Sequence, residues 1–184
     1  MQIKVVKVGS LQTNCYVVID ELSKEAIIID PADEAAKISP LLAGLTVPYI
    51  IVTHGHPDHF GALDELKKIT GAQFLAHQVD NWFYRPDRSI NEGDKIRFGQ
   101  IELTVYHTPG HTGGGICLYT PGHLFAGDTL FLHTYGRTDL PGGSEVTMQK
   151  SLSRLAKLPG ETIVYPGHGQ NTTIAEEKEY GTLG

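Results

Sequence analysis

The amino-acid sequence predicts a mixed α/β fold built in layers. Strand-like and helix-like segments alternate along the whole chain, several neighbouring strand segments are joined by short turns, and 21 of the 184 residues are Gly. Such interspersed segments are typical of sheets covered by helices. The frequent Gly indicates tight turns between short elements. The length suits one substantial domain, and we expect a single domain over residues 1–184.

Runs rich in β-branched and aromatic residues predict the strands. These runs are IKVVKV, NCYVVID, EAIIID, PYIIVTH, AQFLAH, KIRFG, IELTVYH, GICLYT, HLFAGDTLF and TIVYPGH. PYIIVTH is apolar almost throughout, which is typical of a strand buried on both faces. The tetrapeptide TPGH at 120–123 predicts a turn between two of these strands.

Helical spacing of apolar residues predicts the remaining elements. Residues 58–70 show this spacing before Gly71, and residues 145–158 form an amphipathic pattern ended by Pro-Gly. Three shorter helices are predicted for DEAAKISPLLAGL, in which Pro40 ends or kinks the first part, for QVDNWFY and for TIAEEKEY.

Charge and composition argue against several classes of partner. The net charge is −6 and no run of Lys or Arg exceeds two residues, so we expect neither a nucleic-acid partner nor an anionic membrane, because both need a basic patch. The N-terminal segment lacks the pattern of a signal peptide, and no apolar run is long enough to span a bilayer. Cys15 and Cys117 predict buried thiols in a reducing compartment, and we expect the cytoplasm.

The segment THGHPDH at 53–59 crowds three His and one Asp behind an apolar strand. His54 and His56 are two residues apart and point to the same side of an extended strand end. Asp58 and His59 follow where the chain turns back over that side. Imidazole and carboxylate groups this close are stable when cations bind them, so the segment predicts a metal site.

Three further strand ends carry the same kinds of residue. His111, Asp128 and His168 each follow an apolar strand at a Gly-containing turn. Strand ends at one edge of a sheet are where rigid scaffolds place reactive groups. The other histidines fit ordinary roles: His77, His123 and His133 as hydrogen-bonded residues, and His107 either as a residue that orients a metal ligand or as a packing residue.

The set THGHPDH, TPGHT, GDTLF and YPGH resembles the successive motifs of the metallo-β-lactamase superfamily, and IIIDPA resembles its first motif. The resemblance covers about residues 10–175. It implies an αβ/βα sandwich of two mixed sheets with helices outside and a dinuclear site at one edge.

The resemblance also implies how the two metals are held. In this pattern one metal is bound by His54, His56 and His111, and the second is bound by Asp58, His59 and His168. Asp128 bridges the two metals. Asp30 would brace the metal loop from outside. With only nitrogen and oxygen ligands, zinc is the first expectation, and iron and manganese are alternatives.

The predicted chemistry is hydrolysis of an activated acyl bond, because no Ser or Cys motif suggests a protein nucleophile. Two metals sharing a water make hydroxide near neutral pH, and Asp58 is the candidate to take or relay a proton. A thioester, a lactone and a β-lactam are all compatible with such a site.

The segment GDTLFLHTYGRTDLPGGS resembles the compact glyoxalase II (hydroxyacylglutathione hydrolase) branch and the persulfide dioxygenases. It implies that Arg137 contacts the glutathione part of a thioester such as S-lactoylglutathione; the alternative is an ion pair with Asp139. The chain departs from that branch at Asp139, where a Tyr is usual, and at Gly169 and Gln170, where an aromatic residue is expected.

We expect no helical C-terminal domain of the kind that completes glutathione binding in that branch. We predict hydrolysis of a small-molecule thioester, for which glutathione is one possible thiol part. The alternatives are a persulfide dioxygenase with one iron, another metallo-hydrolase acting on a lactone or phosphodiester, and a non-catalytic metal-binding module.

Overall fold

The computed structural model describes residues 1–80 and 85–184. Its strands are β1 Gln2–Val8, β2 Thr13–Asp20, β3 Glu25–Ile29, β4 Thr46–Ile51, β5 Gln73–Ala76, β6 Arg88–Ser89, β7 Lys95–Phe98, β8 Ile101–His107, β9 Ile116–Thr120, β10 His123–Gly127, β11 Leu130–Phe131, β12 Thr134–Tyr135, β13 Ile163–Pro166 and β14 Thr172–Thr173. Its α-helices are α1 Ala35–Ile38, α2 Leu63–Thr70, α3 Glu145–Leu155 and α4 Ile174–Tyr180, and short 3-10 helices cover Ser39–Leu42, Pro57–His59 and Gln78–Asp80.

Twelve of the described strands form two mixed six-stranded sheets, and β11 and β12 pair in a separate hairpin. The first sheet has the order β1-β2-β3-β4-β5-β6, and its strands from β3 to β6 run parallel. The second sheet has the order β14-β13-β10-β9-β8-β7. In it β8 and β10 both pair antiparallel with β9, and β13 pairs parallel with β10. The carboxyl ends of β8, β10 and β13 therefore share one edge.

Side chains alternate between the two faces of each strand, and the buried ones form three apolar layers. The middle layer lies between the sheets, where Ile27, Ile29 and Ile51 of the first sheet pack with Leu103 and Phe125 of the second. The neighbouring residues in sequence point the opposite way and pack under the helices. This arrangement confirms the predicted sandwich of two mixed sheets with helices outside.

The outer layers follow the amphipathic helices. Leu63 and Leu66 of α2 pack in the cluster on the first sheet, while Met148 and Leu152 of α3 pack in the cluster on the second. Ser144 caps α3 by accepting a hydrogen bond from the N–H of Thr147. The described residues contain no helix that is long and apolar enough to cross a membrane.

Several predicted boundaries were wrong. The helix predicted from residue 58 begins at Leu63, because Pro57–His59 form a 3-10 turn and Phe60 leaves the helical region with φ of −140°. The helix predicted to residue 158 ends at Leu155. The strand predicted over 123–131 ends at Gly127, and β11 belongs to a separate hairpin with β12.

The helix predicted for QVDNWFY is described only in part. Residues 78–80 form a 3-10 turn, and the rest of that prediction lies outside the described residues. Pro40 ends α1 as predicted, since the chain continues there as the 3-10 helix Ser39–Leu42. The predicted TPGH turn joins β9 to β10, with Thr120 opposite His123.

Candidate metal centre

Strand ends bring all the predicted metal ligands to one edge of the sandwich. The segment from His54 to His59 follows β4, Asp30 follows β3, and His111, Asp128 and His168 follow β8, β10 and β13 respectively. Parallel strands end at the same edge of a sheet, so residues that are far apart in sequence meet there. The structure therefore places together every residue that the sequence predicted as a ligand.

The first group consists of His54, His56 and His111. His56 Nδ1 lies 3.1 Å from His54 Nε2 and 2.8 Å from His111 Nε2. One ligand atom from each of the three side chains lies within 4.8 Å of the others. Three converging imidazole nitrogens form the kind of site that holds a divalent metal ion.

The second group consists of Asp58, His59 and His168. Asp58 Oδ2 lies 3.2 Å from His168 Nε2 and 3.5 Å from His59 Nε2. One ligand atom from each of these three side chains also lies within 4.8 Å of the others. One carboxylate and two imidazoles are again ligands that divalent metals prefer.

Asp128 lies between the two groups. Its Oδ2 is 3.5 Å from His111 Nε2 in the first group and 3.6 Å from His168 Nε2 in the second, while its Oδ1 is 3.5 Å from His59 Nε2. A carboxylate whose Oδ2 lies close to both groups has the placement that a bridging ligand needs.

Hydrogen bonds on the outer side of the rings determine which nitrogen carries the proton. His111 Nδ1 donates to the carbonyl of Arg137 (2.8 Å), and His168 Nδ1 donates to the carbonyl of Leu11 (3.2 Å). A carbonyl only accepts, so Nδ1 is the donor in both rings. When such a ring is neutral, its Nε2 atom keeps the lone pair, and here Nε2 faces the site. These carbonyl partners belong to the backbone, and residue types could not reveal them.

Asp30 lies on the opposite side of the centre and contacts the two residues Thr53 and His59. Its carboxylate accepts from His59 Nδ1 (3.0 Å), from the Thr53 N–H (2.7 Å) and from the Thr53 hydroxyl (2.8 Å). Thr53 Oγ1 in turn lies 3.2 Å from His54 Nδ1. Asp30 has φ of +52°, a left-handed backbone conformation that is uncommon for residues other than Gly.

Two buried atoms at the centre test whether metal ions fit. Among the described residues, His59 Nε2 and Asp128 Oδ1 are buried and have no hydrogen-bond partner. Buried polar atoms without a partner cost free energy, and a bound metal ion would supply a partner for both atoms. Gly167 leaves this space open, because a Cβ there would overlap Asp128 Oδ1 and lie 2.8 Å from His59 Cε1. The residues fit bound metal ions.

The electrostatics of the centre separate its histidines. Burial and the neighbouring histidines lower the pKa of His54 well below its usual value. Burial also acts to lower the pKa of His59, but Asp30 and Asp128 outweigh burial and raise it well above its usual value. The pKa of Asp128 is lowered, since His59, His168 and His111 outweigh the effect of burial. The side near His59 therefore favours a positive charge.

Asp80 is a functional candidate that sequence reasoning missed. Its buried carboxylate accepts from the Gly55 N–H (3.1 Å), the Gly114 N–H (2.8 Å) and the Thr112 hydroxyl. It thereby ties the loop of His54 and His56 to the loop of His111. Gly55 and Gly114 leave room for it, since a Cβ at either residue would come within 3.0 Å of Asp80. The sequence holds no signal for this, because Asp80 lies outside every recognised motif.

The backbone carbonyl of Arg137 lies at the metal centre, 2.8 Å from His111 Nδ1. Its exposed guanidinium binds Asp139 through two hydrogen bonds of 2.7 Å, which is the alternative that the sequence left open. Its contact with a substrate therefore stays a prediction.

The remaining histidines lie outside both ligand groups. His107 stacks on His77 with ring centroids 4.2 Å apart and donates to the Gly113 carbonyl. His123 lies 3.0 Å from the Tyr165 hydroxyl, and His133 stacks on Tyr180. His107 thus packs behind the loop that follows His111, and its hydrogen bond and ring stacking among the described residues involve neither ligand group.

Comparisons with known proteins agree with this geometry. The family model of the metallo-beta-lactamase superfamily matches residues 8–168. An uncharacterized protein of Aquifex aeolicus is 43% identical, with 98% of this chain and 95% of that protein covered. The hydroxyacylglutathione hydrolase GloC of Haemophilus influenzae is 32% identical, with 97% and 95% covered.

Solved structures show the same fold. ETHE1 from Myxococcus xanthus has a TM-score of 0.91 and 32% identity over 98% of this chain and 83% of its own. The B3 metallo-beta-lactamase BLEG-1 has a TM-score of 0.88 and 32% identity, with 97% of each chain covered. TTHA1623 in a di-iron-bound form has a TM-score of 0.85 and 34% identity, covering 96% and 98%. The chain therefore belongs to the metallo-β-lactamase superfamily.

Proposed function

We propose that this chain, a metallo-hydrolase of the metallo-β-lactamase superfamily, hydrolyses a thioester with two bound divalent metal ions. The observation that carries the proposal is the convergence of seven side chains into two groups that share Asp128. Seven ligands are enough for two metals and more than one metal needs. The likeness to a hydroxyacylglutathione hydrolase supports a thioester as the bond that is broken.

The residues would hold the metals in the two groups described above. His54, His56 and His111 would bind one ion, Asp58, His59 and His168 would bind the other, and Asp128 would contact both. When bound, such ions supply a water of lowered pKa as nucleophile and a Lewis acid for the carbonyl oxygen. Zinc is the first expectation, and the di-iron form of TTHA1623 supports iron as the alternative.

The chain's own contribution is to hold these ligands rigid and to move a proton. Asp30 keeps the His59 ring oriented, and the carbonyls of Arg137 and Leu11 do the same for the rings of His111 and His168. Fixed ligand geometry lowers the reorganisation needed during reaction.

Asp58 is the candidate proton acceptor. Burial acts to raise the pKa of its carboxyl, but the hydrogen bond with His168 and the charge of His59 outweigh burial and lower the pKa to about 2. Asp58 is therefore a carboxylate at neutral pH. It is also partly exposed, so it can accept a proton at the centre and release it to solvent.

The test is an anaerobic assay of metal-loaded protein with S-lactoylglutathione, in which loss of the thioester absorbance is followed. We expect turnover that depends on the metal and disappears after chelation. Failure with every thioester tried would overturn the proposal, and a β-lactam and a lactone would be assayed beside it to identify another acyl substrate.

The second candidate is a persulfide dioxygenase with one iron, which the segment GRTDL at 136–140 also resembles. The two activities differ in metal count and in their use of oxygen. Oxygen uptake with glutathione persulfide and one iron per chain, together with no thioester hydrolysis, would favour the dioxygenase.

A further inference from the structure

A cavity of about 450 Å³ opens beside the first ligand group. His56 lines it, and the Nδ1 atom of this residue lies 2.8 Å from His111 Nε2. The cavity is formed by the loops that follow β4, β5 and β8 and by the loop before α3. Its volume lies within the range of small-molecule sites, about 300 to 1,000 Å³. A substrate held at the metal centre can therefore reach into it.

The side chains around this cavity are mainly apolar. Val79, Pro57, Leu140 and Pro141 line it, and none of them is buried in the core. Val79 leaves 47% of its surface exposed. Apolar side chains that stay exposed around a concave site gain free energy when an apolar ligand covers them.

Two polar side chains of the wall, Thr112 and Asp80, already have partners. The Thr112 hydroxyl donates to Asp80, and both oxygens of that carboxylate also accept backbone N–H groups from Gly55 and Gly114. These two side chains keep little hydrogen-bonding capacity for a ligand. The wall therefore offers a ligand mainly apolar contact area.

The charge of the cavity disfavours an anionic ligand. The described lining residues include no Lys or Arg, and Asp80 is acidic. Arg137, which precedes Leu140 by three residues, has its guanidinium bound to Asp139 at 2.7 Å. Apart from the proposed metal ions at its inner end, the described lining offers the two carboxylates of a glutathione group no cationic partner.

We propose that this cavity is a specificity pocket for an uncharged, apolar group of the substrate. The inference rests on the proposed function for the bond that is broken, and it narrows the substrates to thioesters with an alkyl or aryl group. That group can belong to the acyl part or to the thiol part, because either can extend from the carbonyl carbon into the cavity.

Binding to the cavity can be measured without turnover. The metal-loaded protein is titrated with 1-hexanol while the methyl signals of Val79 and Leu140 are followed by NMR. We expect saturable shifts of these signals. In Val79→Lys the affinity should fall at least about tenfold, because a charge then lies on the apolar wall.

Two further variants control this measurement. Leu22→Lys adds the same charge at an exposed residue, 86% accessible, in the turn between β2 and β3, and it should bind 1-hexanol as the wild type does. Leu140→Gln changes a second apolar lining residue and should also weaken binding. The absence of saturable shifts in the wild type, or unchanged binding in both cavity variants, overturns the proposal.

Kinetics then identify which part of the substrate enters the cavity. One arm compares N-acetylcysteamine thioesters from acetyl to hexanoyl, and the other compares acetyl thioesters from ethanethiol to hexanethiol. We expect kcat/KM to rise about threefold to fourfold per added methylene in one arm, from the free energy of burying a CH₂. If thioesters are hydrolysed but kcat/KM does not change with chain length in either arm, the pocket proposal is overturned and the thioesterase proposal stands. If no thioester is hydrolysed, the proposed function fails, and the 1-hexanol titration still decides the pocket.

Discussion

Asp128 Oδ1 and His59 Nε2 lie 3.5 Å apart, and both atoms are buried without a hydrogen-bond partner among the described residues. Asp128 Oδ2 lies on the other side, between His111 and His168. One carboxylate thus contacts both ligand groups. Loss of this carboxylate should disturb both groups at once.

We expect Asp128→Ala to lose both metal equivalents together. Elemental analysis after reconstitution measures this directly, and Asp64→Ala on the exposed face of α2 provides a matched control that should keep both. A variant at Asp128 that retains one full equivalent would contradict the bridging assignment.

Asp30→Asn should weaken metal binding while the ligand set stays complete. The amide cannot accept all three hydrogen bonds from Thr53 and His59 that the carboxylate accepts, so the His59 ring loses its orientation. Such outer partners are typically worth about 10- to 100-fold in metal affinity. Competition with a chelator measures the change, and wild-type affinity in this variant would show that Asp30 does not orient His59.

Asp80→Asn should destabilise the protein and loosen the first ligand group selectively. An amide nitrogen would face at least one of the N–H and hydroxyl donors that now point at the carboxylate. A buried donor left unsatisfied costs about 1–3 kcal/mol. Chemical denaturation measures the loss, and cobalt substitution followed by its visible spectrum reports on the His54, His56 and His111 group. Loss of stability with an unchanged cobalt spectrum would limit Asp80 to a structural role.

Arg137→Ala should raise KM for S-lactoylglutathione and leave KM for an uncharged thioester unchanged. A carboxylate clamp contributes about equally to ground and transition states, so kcat should change little. Arg137→Lys should restore binding only in part, because the planar fork is lost. Asp139→Ala releases the guanidinium and should lower KM for the glutathione thioester. Unchanged KM values together with reduced thermal stability would leave only the ion pair as the role of Arg137.

Asp20, which lies outside the metal centre, should make the stability of the fold depend on pH in the acid range. Its carboxylate accepts from the Gln100 N–H and the Ser23 hydroxyl, and these contacts lower its pKa. A lowered folded-state pKa stabilises the fold above the unfolded value of about 3.9, and this stabilisation is lost as the pH falls through the lower folded value. The Tm of Asp20→Asn should therefore be lower than that of the wild type at pH 7, and this difference should shrink as the pH falls below about 3.9. A Tm difference that does not change with pH would exclude this linkage.

The sequence by itself determined the fold class and the family. Period-two alternation in strands such as NCYVVID specifies two opposite faces, and the structure uses both: Val17 packs under the helices and Val18 between the sheets. His54, His56, Asp58 and His59 could be recognised because their spacing is local and few other arrangements explain it. The assignment of individual residues to individual metals stays a prediction.

Only the tertiary structure decided the surroundings of those residues. Asp80 ties two ligand loops that are separated by more than fifty positions, and the rings of His111 and His168 are oriented by backbone carbonyls. The start of α2 at Leu63 likewise departs from its local pattern, because residues 57–59 turn toward the centre. Contacts of this kind depend on which strand ends meet at one edge. Every residue has a backbone carbonyl, so no sequence pattern can indicate which carbonyls will orient a histidine ring.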